Sequence, residues 1–435
     1  LRLKIIELNQ IRLYWGVNLD KIQSLKGMID LIANRTDPKD FAESIFRTED
    51  VLKNIFVNFG YSEIRTPALE DADLFKRSVG DSSDIVNKEL YSFLDKNEKN
   101  ITLRPENTAS VIRSLIEKKI DGNTHKFWYL GPMWRYERPQ KGRYRQFNQA
   151  GIEIIGYPEG VAELEIISMI CSINNALNIK NSVIKINHLG NKSTKAKYCN
   201  ALSEYLKPFS SQLDQLDQSR LEKNPLRILD SQNQNTQKIL KDAPTIKDFL
   251  SDESLKMLQI LKDTFSKDCK IEIDYGLVRG LDYYTGLVFE AISDELGAQD
   301  AYLGGGRYDN LSEQLGGKNL PCIGMAIGIE RLALLSNIVI EDKTLISFII
   351  LSSNFEEKAY KIAHDLRTIN PEIIIDVQLA EGSLKSKLRK ASKNNAKFAI
   401  IIGEEEIETN TIIIKPLIEK NSEQTVMDIN EISSF

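Results

Sequence analysis

The 435-residue sequence predicts an α+β protein: an antiparallel sheet flanked by helices, broken by a helical insertion and followed by a smaller α/β domain. Three observations predict it. Two stretches around a basic loop, between residues 128 and 154, alternate with period two. Between residues 192 and 267 the chain turns to Gln, Asn, Lys, Leu and Asp at helical spacing, with few β-branched runs. From Leu345 onward, strand and helix patterns alternate.

The elements follow in order. Phe41 to Phe59 carries a helical apolar pattern ended by Gly60. Tyr61 to Leu69 reads as a strand, and Pro67 inside it suggests an edge or an interface. Phe75 to Asp84 reads as loop, Leu90 to Leu94 and Ile101 to Leu103 as short strands, and Thr108 to Lys119 as a helix. A hairpin follows, then a helix from Val161 to Leu177. After the insertion, strands resume at Ile271 to Tyr275 and Gly286 to Ile292; a glycine-rich turn, Gly304-Gly305-Gly306, precedes a helix from Tyr308 to Leu315. The last domain reads strand (Ser347 to Leu351), helix (Phe355 to Leu366), strand (Ile373 to Val377), helix (Ser383 to Lys393) and two strands (Phe398 to Ile402, Thr411 to Lys415). The expected division is an N-terminal extension at 1–20, a core in two parts at 21–190 and 268–343, the insertion at 191–267 and the α/β domain at 345–435.

Composition narrows the function classes. Hydrophobic content of 42% and charged content of 27% suit a globular chain, and no stretch is long and apolar enough to span a bilayer. Cys322 to Ile340 comes nearest but contains Glu330 and Arg331. The first twenty residues carry charges throughout and lack a small-residue cleavage site, against a secretory signal. With a net charge of −5, nucleic-acid contact must come from local patches. The four cysteines are far apart and form no CxxC pair, which argues against a Cys/His metal site and for a reducing cytoplasm. The three histidines are scattered, so the chemistry rests on Arg, carboxylates, Tyr and backbone donors, and favours charge stabilisation at a phosphate.

The stretch from Gly131 to Phe147 is the sharpest signal. Five cationic residues stand in the thirteen positions from Arg135 to Phe147, mixed with aromatics. Paired as a hairpin across Arg138 to Gly142, one sheet face would show Arg135, Glu137, Arg143, Gln149 and Glu153 over an apolar underside. Three further segments stand out. Arg104 to Thr108 follows a strand and opens a helix, where side chains either enter a pocket or cap the helix. Arg279 to Gly286 (RGLDYYTG) begins a strand with two glycines, an Arg and paired Tyr: a ligand-approach segment or a bulge with surface aromatics. Gly324 to Leu332 turns from strand to helix with Arg331 in the first turn, at a phosphate or in a surface ion pair with Glu330. Together the segments supply three separated arginines, Arg135, Arg279 and Arg331, which suits a nucleoside triphosphate beside a small zwitterion.

These segments, with Tyr129 to Glu153 and Gly304 to Asp309, resemble the histidyl-tRNA synthetases, a class II aminoacyl-tRNA synthetase family. The resemblance covers the chain from about Ile22 onward, and ERPQKGRYRQF (Glu137 to Phe147) and RGLDYYTG are its most specific parts. It implies activation of histidine by ATP with Mg2+ and transfer to tRNA(His), in a cytoplasmic homodimer with Phe41 to Leu69 in the interface. It implies that Arg135 and Arg279 are catalytic. Arg135, Glu137, Arg143 and Arg331 would hold ATP, with Arg135 at the α-phosphate and Arg331 at the γ-phosphate. Histidine would meet Glu106, Asn107, Thr108, Arg135, Gln149, Glu153, Arg279, Tyr283 and Tyr284, with Glu153 and Tyr284 on the imidazole nitrogens. Arg138 and Gln140 would face the tRNA acceptor end.

The chain departs from the family pattern at Asn107, Asn148 and Asn310, where Gly, His and Gly are usual, and at Lys26, where Arg is usual. The last domain is similar to the family's anticodon-binding domain; Lys385, Lys387, Arg389, Lys390 and Lys393 on one helix give either a phosphate-contacting face or a solvated one. Two other classes resemble parts of this chain: a regulatory paralogue in histidine biosynthesis, and a tRNA-sensing module fused to a kinase. Retention of Arg135, Arg331 and residues 345–435 argues against the first, and the lack of a kinase segment against the second.

Overall fold

The structure is a computed structural model that describes residues 22–34, 37, 40–80, 83, 85–297, 300–338, 343–378, 382–418, 423–429 and 431. The expected N-terminal extension, residues 1–20, lies outside the described residues. The described residues fall into two compact units, one running to residue 32 and over 44–337, the other taking those within 33–43 and from 338 onward.

The first unit carries β1 (Ser62–Glu63), β2 (Leu69–Asp71), β3 (Tyr91–Leu94), β4 (Asn100–Leu103), β5 (His125–Trp134), β6 (Gln146–Ile155), β7 (Ser182–His188), β8 (Lys270–Ile273), β9 (Thr285–Ser293), β10 (Ala301–Arg307) and β11 (Cys322–Gly328). Eight of them form one sheet in the order β1-β5-β6-β11-β10-β9-β7-β8. Its middle, β5 through β7, is antiparallel throughout, and only the edge strands β1 and β8 pair in parallel. The order brings β6, β11, β10 and β9 side by side although the insertion separates them in sequence. This is how the motif-bearing segments come to share one face.

Tyr61 to Leu69 is not one strand. It divides around Pro67 into β1, at the edge of the large sheet, and β2, at the edge of a small sheet ordered β2-β4-β3. A residue without an N–H belongs at such edges. The expected loop at Phe75 to Asp84 is instead a helix over Ala72–Val79, capped by the Asp71 side chain, which accepts the Asp73 N–H, and packed by buried Leu74, Phe75 and Val79. Short helices with one strong cap and three apolar anchors escape a search for long periodicity.

Helices cover the sheet. Phe41–Asn58 buries Ile45, Leu52 and Phe56, and the Phe56 ring lies 5.9 Å from that of Trp128 on β5. Val161–Ala176 buries Ile166, Ile167, Ile170 and Ile173. The insertion folds as helices Lys192–Leu206, Gln215–Lys223, Gln234–Leu240 and Asp252–Thr264 linked by 3₁₀ turns. Its Tyr198, Leu202, Leu206, Leu226 and Ile228 belong to the same apolar cluster as Tyr283, Tyr284 and Tyr308.

The second unit has strands β12 (Thr344–Ile350), β13 (Ile373–Val377), β14 (Phe398–Ile402), β15 (Thr411–Pro416) and β16 (Thr425–Asp428) in the order β13-β12-β14-β15-β16. Helix Glu356–Ile369 buries Ala359, Ile362, Ala363 and Leu366 in its core. β16 and the helix Glu404–Thr409 escaped the sequence reading. The helix opens on three glutamates in its first turn, where the helix dipole favours anions.

Candidate active site

The site grows from the β5–β6 hairpin. Its register sets Gly131 opposite Gln149 and Phe127 opposite Glu153, so Phe147, Gln149, Gly151 and Glu153 point to one face while Asn148, Ala150, Ile152 and Ile154 point to the other. The regular ladder stops at Trp134 and Gln146, shorter than the expected hairpin. Residues 135–145 form a loop held by the Arg135 N–H to Arg145 carbonyl bond at 2.9 Å and a bridge between Gln140 and Arg143. Leaving strand geometry lets Tyr144 line the cavity, although its parity predicted the opposite face.

Three of the loop's five cations are fixed individually. Arg143 pairs with Glu137 at 2.7 Å. Arg135 donates from Nε to the Pro105 carbonyl at 2.9 Å and lies over the Phe147 ring. Arg145 lies over the Tyr136 ring, 3.8 Å from its centroid, and its N–H donates to the Gly27 carbonyl at 2.7 Å. Arg331, in the first turn of helix Ile329–Leu335, donates from Nε to the Gly142 carbonyl at 3.3 Å, which closes the loop onto the strand-to-helix turn.

These groups surround a cavity of about 480 Å³, within the range of small-molecule sites. Arg135, Arg143, Arg279 and Arg331 all line it, with Glu106, Thr108, Glu137, Gln149, Tyr283 and Tyr284. The sheet thus brings together every arginine the sequence assigned to the nucleotide. Glu106 accepts the Thr108 and Ala109 N–H groups at 2.6 and 3.0 Å, so it caps the helix Thr108–Glu117 while facing the cavity; burial pushes its carboxyl above the usual range. Gln149 is 6% exposed and its Oε1 has no hydrogen-bond partner, an acceptor aimed at whatever donor enters.

Beneath the cavity floor lies a buried carboxyl. Glu153 is 0% exposed; its Oε1 accepts from Thr108 Oγ1 at 2.7 Å and its Oε2 from the Tyr308 hydroxyl. Burial pushes its pKa up to about 8 against these two donors. The geometry requires glycine across the ladder: a Cβ at Gly324 would stand 1.9 Å from Glu153 Oε2. The Tyr283 ring packs 4.7 Å from that of Tyr284 and 5.7 Å from that of Tyr308.

Arg279 forms the opposite wall. It pairs with Glu290 on β9 at 2.5 Å, and its Nε is buried without a partner. The expected glycine-rich turn is the interior of β10, and the reason is close approach, not turning. A Cβ at Gly304 would lie 2.2 Å from Arg279 Nη2, and one at Gly305 2.1 Å from the Gly324 carbonyl. Gly304→Ala would therefore push the guanidinium, the mobile end of a long side chain, out of the cavity at little cost to folding. Its melting temperature is expected to stay near that of the unsubstituted chain while activity falls about tenfold or more, as a misplacement of about 1 Å costs. Calorimetry beside a turnover assay checks both halves.

Four assigned residues lie outside the cavity lining, two of them, Arg138 and Gln140, expected at the tRNA acceptor end and not in the cavity. The Asn107 side chain accepts from Thr66 Oγ1 and Arg104 Nη1 at 2.6 and 3.3 Å, so it braces the loop outside the cavity lining. Glu153 lies one layer beneath the surface of the cavity, with Thr108 and Tyr308 between. Arg138 and Gln140 sit on the exposed loop outside the lining. The sequence reading missed Tyr308, Glu290, Glu330, Asp230 and Gln232, which all line the cavity. Glu330, pushed up to about 7 by burial, accepts the Asn148 N–H at 2.8 Å. Alternation along β9 could have exposed Glu290; nothing local marks Asp230 and Gln232, which reach in from the insertion.

Comparison with known proteins gives concordant likenesses. A family model described as histidyl-tRNA synthetase matches residues 36–332, and one described as anticodon binding domain matches residues 346–435. A histidine–tRNA ligase of Francisella philomiragia is 42% identical over 425 residues, covering 96% of this chain and 99% of that one. The crystal structure of apo histidyl-tRNA synthetase from S. aureus superposes with a TM-score of 0.76 at 32% identity, covering 95% of this chain and 99% of that one. A Bacillus halodurans structure described as an ATP phosphoribosyltransferase regulatory subunit/histidyl-tRNA synthetase shares the fold, with a TM-score of 0.62 at 20% identity and coverage of 88% and 98%.

Proposed function

The chain belongs to the histidyl-tRNA synthetase family and acts as a histidine–tRNA ligase, and from that premise we propose how its residues divide the work. ATP lies along the arginine wall, with Arg135 at the α-phosphate, Glu137 and Arg143 holding the nucleotide, and Arg331 at the far phosphate. The α-ammonium of histidine enters between Glu106, Thr108 and the unpartnered Gln149 Oε1. Its ring rests among Tyr283, Tyr284 and Tyr308 above Glu153. A carboxyl raised to about 8 beside an imidazole whose own pKa is about 6.5 shares one proton with it near neutrality. Glu153 and Tyr284 then read the two ring nitrogens, once a hydroxyl now held by Glu153 turns aside.

Adenylation needs no general base, because the substrate carboxylate is already ionised. Arg279, with one wall at Glu290 and a spare Nε, stands between that carboxylate and the α-phosphate and gathers the charge that develops in the displacement of pyrophosphate. The second step transfers the histidyl group to a ribose hydroxyl at the 3′ end of tRNA(His), with Arg138 and Gln140 facing the acceptor end. Among the described residues no cluster of three or more side chains could cage a metal. A magnesium ion would be carried by the triphosphate, Asp300 on the cavity lining would help hold it, and it would supply charge neutralisation. Residues 345–435 read the anticodon. The homodimer, with residues 41–69 at its interface, and the cytoplasmic location belong to the same reading; free cysteines at 171, 199, 269 and 322 support a reducing compartment.

The observation that carries the reading is the convergence of Arg135, Arg279 and Arg331 on one cavity, with the buried Glu153 carboxyl one layer beneath it. The test is histidine-dependent ATP–pyrophosphate exchange on the full chain. Exchange with histidine and with no other amino acid is expected. Folded protein that binds histidine without exchange would point to the regulatory class instead.

A further inference from the structure

Three insertion side chains converge on one three-residue stretch of the core, Asp282 to Tyr284. Asp282 Oδ1 accepts from Asn224 Nδ2 at 2.8 Å and from Arg227 Nε and Nη2 at 3.2 and 3.1 Å. Lys195 Nζ donates to the main-chain carbonyls of Asp282 and Tyr284 at 3.5 and 3.3 Å. The Arg227 and Asp282 side chains are 11% and 27% exposed, so the pair is largely shielded from water. Asp282 lies between Arg279 and the paired tyrosines, and its far side is fixed as well. Its N–H meets the Val79 carbonyl at 3.4 Å, and a Cβ at Gly80, where φ is +88°, would stand 2.4 Å from Oδ2.

The insertion end of the contact is stiff. Asp217, 1% exposed, accepts from Ser231 Oγ and Thr236 Oγ1 and pairs with Arg220, which ties helix Gln215–Lys223 to the segment carrying Arg227. That segment continues to Asp230 and Gln232 on the cavity wall.

We propose that the insertion is a working part of the histidine site: by gripping Asp282 and the backbone of Tyr284, it sets where Arg279, Tyr283 and Tyr284 stand. Arg227, Asn224 and Lys195 are positioning residues that touch no substrate. A displacement of the insertion is therefore felt at the reacting carboxylate. The kinetic part rests on the histidine-activating reading; the mechanical part does not.

The test compares the full chain with Asn224→Ala, Arg227→Ala and Arg227→Lys. In pyrophosphate exchange, Arg227→Ala is expected to lower kcat/KM for histidine by about 10–100-fold, the cost of a small misplacement, with KM for ATP within about twofold and the lysine variant recovering most of the loss. In amide hydrogen exchange on the ligand-free protein, residues 279–286 are expected to exchange faster in both alanine variants and to slow again in Arg227→Lys. A purely structural role would instead lower the melting temperature and leave the histidine and ATP constants of the folded fraction alone. Unchanged protection over residues 279–286 in Asn224→Ala and Arg227→Ala overturns the proposal, whether or not the parent shows turnover. Absence of turnover in the parent alone overturns the functional reading and leaves the protection result to decide this one.

Discussion

Arg279→Ala is expected to reduce histidine-dependent pyrophosphate exchange by about 10²–10³-fold, the usual loss when one preorganised charge-stabilising donor is removed. The effect should fall on kcat as much as on kcat/KM, because the group is needed where charge develops. Two neighbours deepen the loss. Glu290, paired with Arg279 at 2.5 Å, would be left as an unpaired carboxylate facing incoming phosphates, and Asp230 lines the same cavity. Arg279→Lys is expected to recover only part of the activity. An ammonium offers a point charge where the site, with one Nη on Glu290 and Nε pointing elsewhere, uses a planar fork. Titrating the rate against histidine and ATP separately checks this. Arg279→Ala with a turnover number within about threefold of the parent would remove the residue from the chemistry.

Glu153→Ala carries the second large effect. Truncating the side chain strands the buried hydroxyls of Thr108 and Tyr308, at about 1–3 kcal/mol each to the fold, and removes the group that reads an imidazole nitrogen. The expected loss in kcat/KM for histidine is roughly 5- to 150-fold, the equivalent of about 1–3 kcal/mol for one ring nitrogen left unpaired, while KM for ATP stays close to the parent. Glu153→Gln separates charge from shape. The parent carboxyl titrates at about 8 in the fold against an ordinary 4.5. A raised acid pKa means the unfolded chain releases its proton first, so this group's stabilising contribution is whole below about pH 4.5 and is lost as pH climbs towards about 8. Glutamine has no proton to lose. The melting temperature of ligand-free Glu153→Gln should therefore fall less than the parent's between about pH 5 and pH 8. Parallel pH profiles for the two proteins would show that Glu153 does not titrate across that window.

Much of this site was legible because its signals are local. The parity of Gln149 and Glu153 along β6, the arginines of the 135–145 loop and the strand-to-helix turn before Arg331 each follow from a short stretch of sequence. Other features depend on partners distant in the chain. The glycines of β10 read as a turn, since nothing nearby reveals that Arg279 lies against Gly304. The helix Ala72–Val79 read as loop because its stability comes from one aspartate cap and burial against distant residues. Tyr308 read as the start of a helix, but it lies just past the end of β10, before the helix Leu311–Gln314, and bonds a carboxyl 155 positions away. Asn107 and Glu153 have partners that no short stretch of sequence reveals: Arg104 and Thr66 for one, the hydroxyls of Thr108 and Tyr308 for the other. Asp230 and Gln232 reach the cavity only because the insertion folds back over it.

The account turns on one cavity holding both substrates head to head. A crystal structure of the chain with a sulfamoyl analogue of histidyl-adenylate tests that directly. The guanidinium groups of Arg135 and Arg279 should both lie within hydrogen-bonding distance of the phosphate-like linker, with the imidazole against Tyr283 and Tyr284 over Glu153. An analogue bound outside this cavity, or bound within it while Arg135 and Arg279 face away from the linker, would contradict it.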